Sequence, residues 1–339
     1  MIGHLKMAKL RPSTVITRTP LRISFFGGGS DLKSYYSLSS GLVVSTTINK
    51  YLYVFVKKHG GVFDEKIRLN YSDTEFVDNV DFINNNIIRN TLKFLDINEP
   101  IYISTVSDMP QQTGLGSSSA FLVGLLNALY HFKGKQNVSA EQLAEEACQI
   151  EIDIMGSPIG KQDQYAAAFG GANVFEFYGD ERVQNIDLNE YEQQFNDIFD
   201  NSLLVWTEKT RLASTILQEQ NKNSKINSYA IDEIVTLARE FHKSLRQSTA
   251  LDFLNSSLKR SWELKQSLSS QINSIEINEL YKECINLGVT SAKLLGAGGG
   301  GFFFCCIPSS NQKNLIEKIG KKTVRVNFEH RGSDVIFRD

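Results

Sequence analysis

Neither sign of charge dominates this chain. Its 36 lysines and arginines stand against 38 aspartates and glutamates, a formal charge of −2 over 339 residues. So even a balance gives no global attraction to nucleic acid or to an anionic membrane, and an anionic ligand must be met by local Lys and Arg. Cysteine is scarce. Cys148, Cys284, Cys305 and Cys306 contain no CxxC pair, which argues against a disulfide scaffold or a zinc site and favours buried thiols in a reducing compartment. The five histidines, His4, His59, His131, His242 and His330, lack paired metal-ligand spacing. No apolar run approaches the roughly 20 residues that span a bilayer. The first eleven residues are interrupted by lysine and lack the apolar core of a secretory signal. The expectation is a cytoplasmic protein without nucleic-acid or membrane partners; its oligomeric state is left open.

What is present suits an ordinary globular enzyme: 41% hydrophobic and 22% charged residues, on a chain long enough for about two domains. Residues 15–26, 42–48, 51–57, 101–107, 172–177, 203–206, 292–295, 302–307 and 323–328 read as strands. Helical spacing marks residues 31–38, 82–95, 121–132, 139–155, 164–169, 277–287, a stretch around Leu315, and most of 211–271. Residues 180–200 are polar and poorly periodic and read as the region between two lobes, 12–190 and 200–339. Strands and helices alternate irregularly rather than as repeated βαβ units, which favours an α+β fold.

The most informative stretch is residues 110–120, PQQTGLGSSSA, which joins a strand to an apolar helix. Glycines and serines there leave backbone N–H groups unobstructed at a helix N-terminus, where unpaired donors and the positive dipole end attract anions. The hydroxyls of Ser117, Ser118 and Ser119 add donors and candidate Mg²⁺ ligands. The physical reading is a phosphate cradle. It is not a P-loop, because the loop has no lysine. The dinucleotide fingerprint lacks its third small residue at Ser119, and the protein-kinase HRD and DFG signatures are missing.

Two further segments accompany it: PLRISFFGGGSD at residues 20–31 and KLLGAGGGGFFF at residues 293–304. With these three motifs, in this order, the chain resembles the GHMP kinase superfamily, which includes galactokinase and the homoserine, mevalonate and phosphomevalonate kinases. The GGGSD form and GKQDQY at 160–165 look most like the D-glycero-D-manno-heptose 7-phosphate kinases, with fucokinase-type sugar kinases next. The resemblance implies a GHMP kinase fold, with an N-terminal lobe like ribosomal protein S5 domain 2, a ferredoxin-like C-terminal lobe, and the site between them. It implies ATP and Mg²⁺ as cofactors and a small-molecule sugar phosphate as substrate, phosphorylated on its anomeric hydroxyl. Another sugar 1-kinase, or a catalytically silent sugar- and ATP-binding sensor of the same fold, remains the alternative.

The resemblance also assigns roles. The loop carrying Pro110, Thr113, Gly114, Leu115, Gly116, Ser117, Ser118 and Ser119 would hold the triphosphate. Asp163 would orient or deprotonate the acceptor hydroxyl. Arg22 would pair with Asp163, with Arg18 as the competing candidate. Glu151 and Ser118 would bind Mg²⁺, with Asp153 and Ser117 as the alternatives. Asp31 would accept bonds from sugar hydroxyls beside Gly28 and Gly29. Five glycines in six positions, Gly298 and Gly299 among them, require an unusual backbone path near the substrate. Lys161, Lys209 and Arg211 are candidates for a substrate phosphate. The cluster Lys259, Arg260 and Lys265 reads as a solvated face.

Overall fold

The fold is that of a computed structural model that describes residues 11–210, 213–223 and 227–339. The larger sheet is built from β1 (Thr14–Phe26), β2 (Gly41–Lys58), β3 (Ile67–Asn70), β4 (Thr74–Val77), β5 (Ile101–Ser107), β6 (Ala172–Phe177) and β7 (Val183–Asp187). The smaller one holds β8 (Ser202–Trp206), β9 (Ser291–Leu294), β10 (Phe302–Cys306) and β11 (Thr323–Val324). A last strand, β12 (Asp334–Arg338), returns to the larger sheet and pairs antiparallel with β1. The end of the 200–339 segment is thus built into the sheet formed by residues 14–187.

Strand order in the larger sheet is β12-β1-β2-β5-β3-β4, with β6 and β7 continuing from β2. The two strand-like runs at 42–48 and 51–57 are one long strand. Its first half pairs with β6 and its second with β5, and the register against β1 shifts between Pro20 and Leu21. The smaller sheet, β11-β8-β10-β9, is antiparallel throughout. Together with the helices this is the α+β architecture expected.

The helix Ser117–Phe132 is buried along nearly its whole length. It lies so close to β1 that the Gly124 carbonyl accepts from the Thr17 hydroxyl at 2.9 Å. Phe25 of β1 joins the two sheets: its ring lies 5.5 Å from Phe304 of β10, 5.5 Å from Phe241 and 6.1 Å from Phe195. Phe195 belongs to the helix Glu192–Asp200, so the poorly periodic stretch 180–200 carries regular structure, β7 and this helix. The helix buries Phe195, Ile198 and Phe199 on one stripe, while Gln193, Asp197 and Asp200 are exposed. The stripe is too short to stand out from its polar surroundings. The strand expected over 323–328 is only Thr323–Val324, followed by an isolated bridge from Phe328 to Ile48. Strands β3 and β4 fall where the sequence suggested none.

Candidate active site

The serine loop leaves β5 and enters the helix through Gly116. This residue caps the helix in the left-handed region (φ 77°) with no capping side chain, so the first-turn N–H groups are left to a ligand. The loop is braced from behind. Thr113 O accepts from Phe302 N at 3.2 Å and Leu115 O from Arg22 N at 3.0 Å. Gly296 and Gly114 touch backbone to backbone, and a Cβ on Gly296 would sit 2.3 Å from the Gly114 Cα. The third glycine motif therefore packs against the second. Pro110, Thr113 and Leu115 shape the loop without lining the cavity, and Thr113 Oγ1 donates to Pro110 O at 3.1 Å.

In front of the loop lies a cavity of about 460 Å³, open on one side. Arg22, Asp31, Gly28, Gly29, Gly114, Gly116, Ser117, Ser118, Ser119, Glu151 and Asp163 all line it. Residues not named from the sequence also line it, among them Leu52, Tyr71, Asn85 and Ile87.

Arg22 is buried in β1 and grips Asp163 with two nitrogens, Nε to Oδ1 at 2.7 Å and Nη2 to Oδ2 at 2.8 Å, while Nη1 donates to Gly114 O. One guanidinium thus ties the acidic residue to the serine loop. Arg18 lies elsewhere, its guanidinium stacked over the Tyr51 ring. Asp163 sits in the first turn of the helix Gln162–Phe169 rather than capping it.

Asp31 is buried and does not cap a helix either. Its carboxylate accepts from Gly29 N at 3.0 Å and Gln162 N at 3.3 Å. Gly160 makes this approach feasible, since a Cβ there would stand 1.9 Å from Asp31 Oδ2. Burial, and then the Asp163 charge, raise the Asp31 pKa above its ordinary value, and the N–H donors partly offset this.

Glu151 follows the helix Ala140–Cys148 in one wider, π-type turn, Gln149–Ile154, a distortion that often marks functional positions. Its Oε1 accepts from Ser118 Oγ at 2.9 Å, and its Oε2 from Ser119 Oγ and Gln164 Nε2, both at 2.7 Å. Burial raises its pKa, the three donors oppose the shift, and Asp163 adds to it. This is a buried carboxylate with hydroxyl neighbours and no cationic partner among the described residues. One carboxylate and one hydroxyl suit Mg²⁺, which takes hard oxygens and draws the rest of its shell from phosphates and water. Asp153, the alternative ligand, is exposed and does not line the cavity.

The basic residues differ most from expectation. The Lys161 ammonium is held by Glu181 at 2.5 Å, lies over the Tyr36 ring and does not line the cavity. Lys209 pairs with Glu276 at 3.1 Å. Arg211 lies outside the described residues. Gly298 and Gly299 do not line the cavity: a Cβ on Gly298 would meet the Ile272 side chain at 2.8 Å, and Gly299 N donates to Ile272 O at 2.8 Å. Lys265, read as part of a solvated face, is buried and lines the cavity, as does Lys293. A signal for Lys265 was there to be read. It continues the buried helical stripe of Leu258, Ser261 and Trp262 at spacings of three and four.

Comparison with known proteins gives concordant results. The model of the GHMP kinases N terminal domain matches residues 85–171, and that of the GHMP kinases C terminal domain matches residues 238–325. A D-glycero-alpha-D-manno-heptose 7-phosphate kinase of Campylobacter jejuni is 31% identical, covering 91% of this chain and 94% of that protein. A mevalonate kinase of Methanocaldococcus jannaschii is 23% identical over 92% of this chain and 98% of its own. Among solved structures, a D-glycero-D-manno-heptose 1-phosphate kinase from Bacteroides thetaiotaomicron superposes with a TM-score of 0.76 at 20% identity, covering 95% of this chain and 99% of that one. Among the described residues no helix is long and apolar enough to cross a membrane.

Proposed function

The chain belongs to the GHMP kinase family and is a sugar kinase, and we propose that it transfers the γ-phosphate of ATP to the anomeric hydroxyl of D-glycero-D-manno-heptose 7-phosphate, giving the 1,7-bisphosphate. The observation that carries this reading is the Arg22–Asp163 pair, set in one cavity with Asp31 and the uncapped serine helix. Phosphoryl transfer asks little covalent chemistry of a protein. It needs the donor and acceptor oxygens in line and the developing charge compensated.

The first-turn N–H groups and the serine hydroxyls would hold the triphosphate, with the base toward Tyr71 and Asn85. Glu151 Oε1 and Ser118 Oγ are the atoms that would bind Mg²⁺, while Ser119 and Gln164 fix the other carboxylate oxygen. When bound, the ion would neutralise charge on the nucleotide phosphates. Asp31 would take two sugar hydroxyls and orient the ring. Asp163, immobilised by Arg22, would accept the hydrogen bond of the anomeric hydroxyl and its proton as the new bond forms. Arg22 keeps that carboxylate in place and balances its charge.

The test is ADP release with ATP, Mg²⁺ and a panel of sugars, sugar phosphates and mevalonate. The reading requires turnover to be greatest with the heptose 7-phosphate. Turnover confined to an unphosphorylated sugar would replace it with another sugar 1-kinase. ATP binding without turnover of any acceptor would indicate a sensor.

A further inference from the structure

Lys265 and Lys293 play no part in the mechanism above, yet both are buried and both line the cavity. Lys265 donates to Leu294 O at 2.8 Å and to Gly296 O, and Lys293 to Phe25 O at 2.8 Å and Ser24 O at 3.4 Å. An ammonium has three donors, so one on each remains after two carbonyls are served. Neither has a carboxylate partner among the described residues, and the charges that act on them are positive: Lys293 and Arg22 on Lys265, and Arg22 on Lys293. Buried cations without a counter-ion are costly, and burial lowers the pKa of both lysines; an anion from outside would hold them charged.

We propose that Lys265 and Lys293 seat the phosphate that the acceptor sugar already carries and so make the site selective for a phosphorylated sugar. The inference rests on the sugar-phosphate reading above and names the residues that would enforce it. The anchoring of Lys293 favours the acceptor over the nucleotide, while Lys265, held on Gly296 O, lies nearer the serine loop. Lys293 is anchored to the end of β1, just before the Gly27–Gly29 turn. Leu268, three residues beyond Lys265, lies 3.8 Å from where a Gly29 Cβ would stand. The triphosphate has its own donors in the serine helix. The lysines offered for the task from the sequence are already neutralised, Lys161 by Glu181 and Lys209 by Glu276. Burial, and then Arg22, lower the Lys293 pKa to about 7; an anion beside it would return the proton.

Two measurements test this. In the first, inorganic phosphate is titrated calorimetrically into the nucleotide-free full chain at pH 8, in two buffers of different ionisation enthalpy. Burial lowers the pKa of both lysines, so wild type should take up protons on binding phosphate and Lys293→Met measurably fewer. No uptake by wild type, which needs no variant to fold, or equal uptake by both, overturns the seat. In the second, Lys265→Met and Lys293→Met should each lower the kcat/KM preference for heptose 7-phosphate over unphosphorylated heptose at least tenfold, with the ATP KM within twofold of wild type. An unchanged preference, or an equal rise in the ATP KM, overturns the assignment to the acceptor. If wild type phosphorylates neither heptose, the sugar-phosphate reading fails while the calorimetry still decides whether the lysines bind an anion.

Discussion

Replacing Gly160 by alanine perturbs the acceptor side of the site through a single methyl group. The added Cβ would stand 1.9 Å from Asp31 Oδ2, 2.4 Å from its Cγ and 2.8 Å from its backbone oxygen. The carboxylate cannot simply rotate away, because Gly29 N and Gln162 N hold its two oxygens and the neighbouring Lys161 N donates to Asp31 O at 3.3 Å. Either the carboxylate leaves these donors or the 160–162 backbone shifts, which also moves Asp163. A hydrogen bond to a charged group contributes about 1.5–3 kcal/mol, so losing the grip on one sugar hydroxyl should raise the sugar KM roughly 10- to 100-fold. On the proposed arrangement nucleotide binding uses a different wall of the cavity, and the ATP KM should change less than threefold. Steady-state kinetics with each substrate varied in turn separates the two. A folded Gly160→Ala enzyme whose sugar KM and kcat both stay within twofold of wild type would refute the placement of Asp31 against the acceptor.

Asp163→Asn should lower turnover by roughly 10²–10⁴ while ATP affinity, read by equilibrium binding, changes little; near-normal turnover would remove Asp163 from the chemistry. Glu151→Gln and Ser118→Ala should each raise the Mg²⁺ concentration needed for half-maximal activity, and unchanged Mg²⁺ titrations in both would disprove the ligand assignment. Asp31 carries a pH signature. Its folded pKa is raised, so between its ordinary value of 3.8 and the folded value the folded chain binds more protons than the unfolded one. Its contribution to stability therefore falls as pH rises through that window. Melting of the ligand-free protein should shift in favour of Asp31→Asn, relative to wild type, as the pH is raised from about 4 to about 7. A difference that is flat with pH would contradict the shift.

The fold was legible where physics acts locally. β-Branched and aromatic residues marked the two runs that join as β2, and the Gly-Ser junction marked where a helix begins. Ser139 caps the helix Ala140–Cys148 by accepting from Gln142 N, as its position before the periodic run suggested. Short elements that depend on distant partners were lost: β3 has only four residues and pairs with β5 in parallel, and β12 meets β1 from the other end of the chain. The site divides in the same way. Motif residues such as Arg22, Asp163, Glu151 and Ser118 do come together. Basic residues were misjudged because a lysine's exposure depends on its tertiary setting. Lys161, beside the acidic motif, turns away to Glu181, whereas Lys265, beside other charges in sequence, turns inward. Ser119, read as a phosphate-loop donor, and Gln164, part of the GKQDQY stretch but given no role there, complete the shell around Glu151, a contact that only the tertiary fold creates.

The central claim is a phosphate placed on the anomeric oxygen of a heptose that already carries one at its far end. Incubating wild type with ATP, Mg²⁺ and D-glycero-D-manno-heptose 7-phosphate, and recording ³¹P–¹H correlation spectra of the product, tests it directly. The account predicts a second phosphorus resonance coupled to the anomeric proton, with the original signal retained. A new phosphate coupled to any other ring or side-chain proton, or no new resonance where another acceptor is turned over, would contradict it.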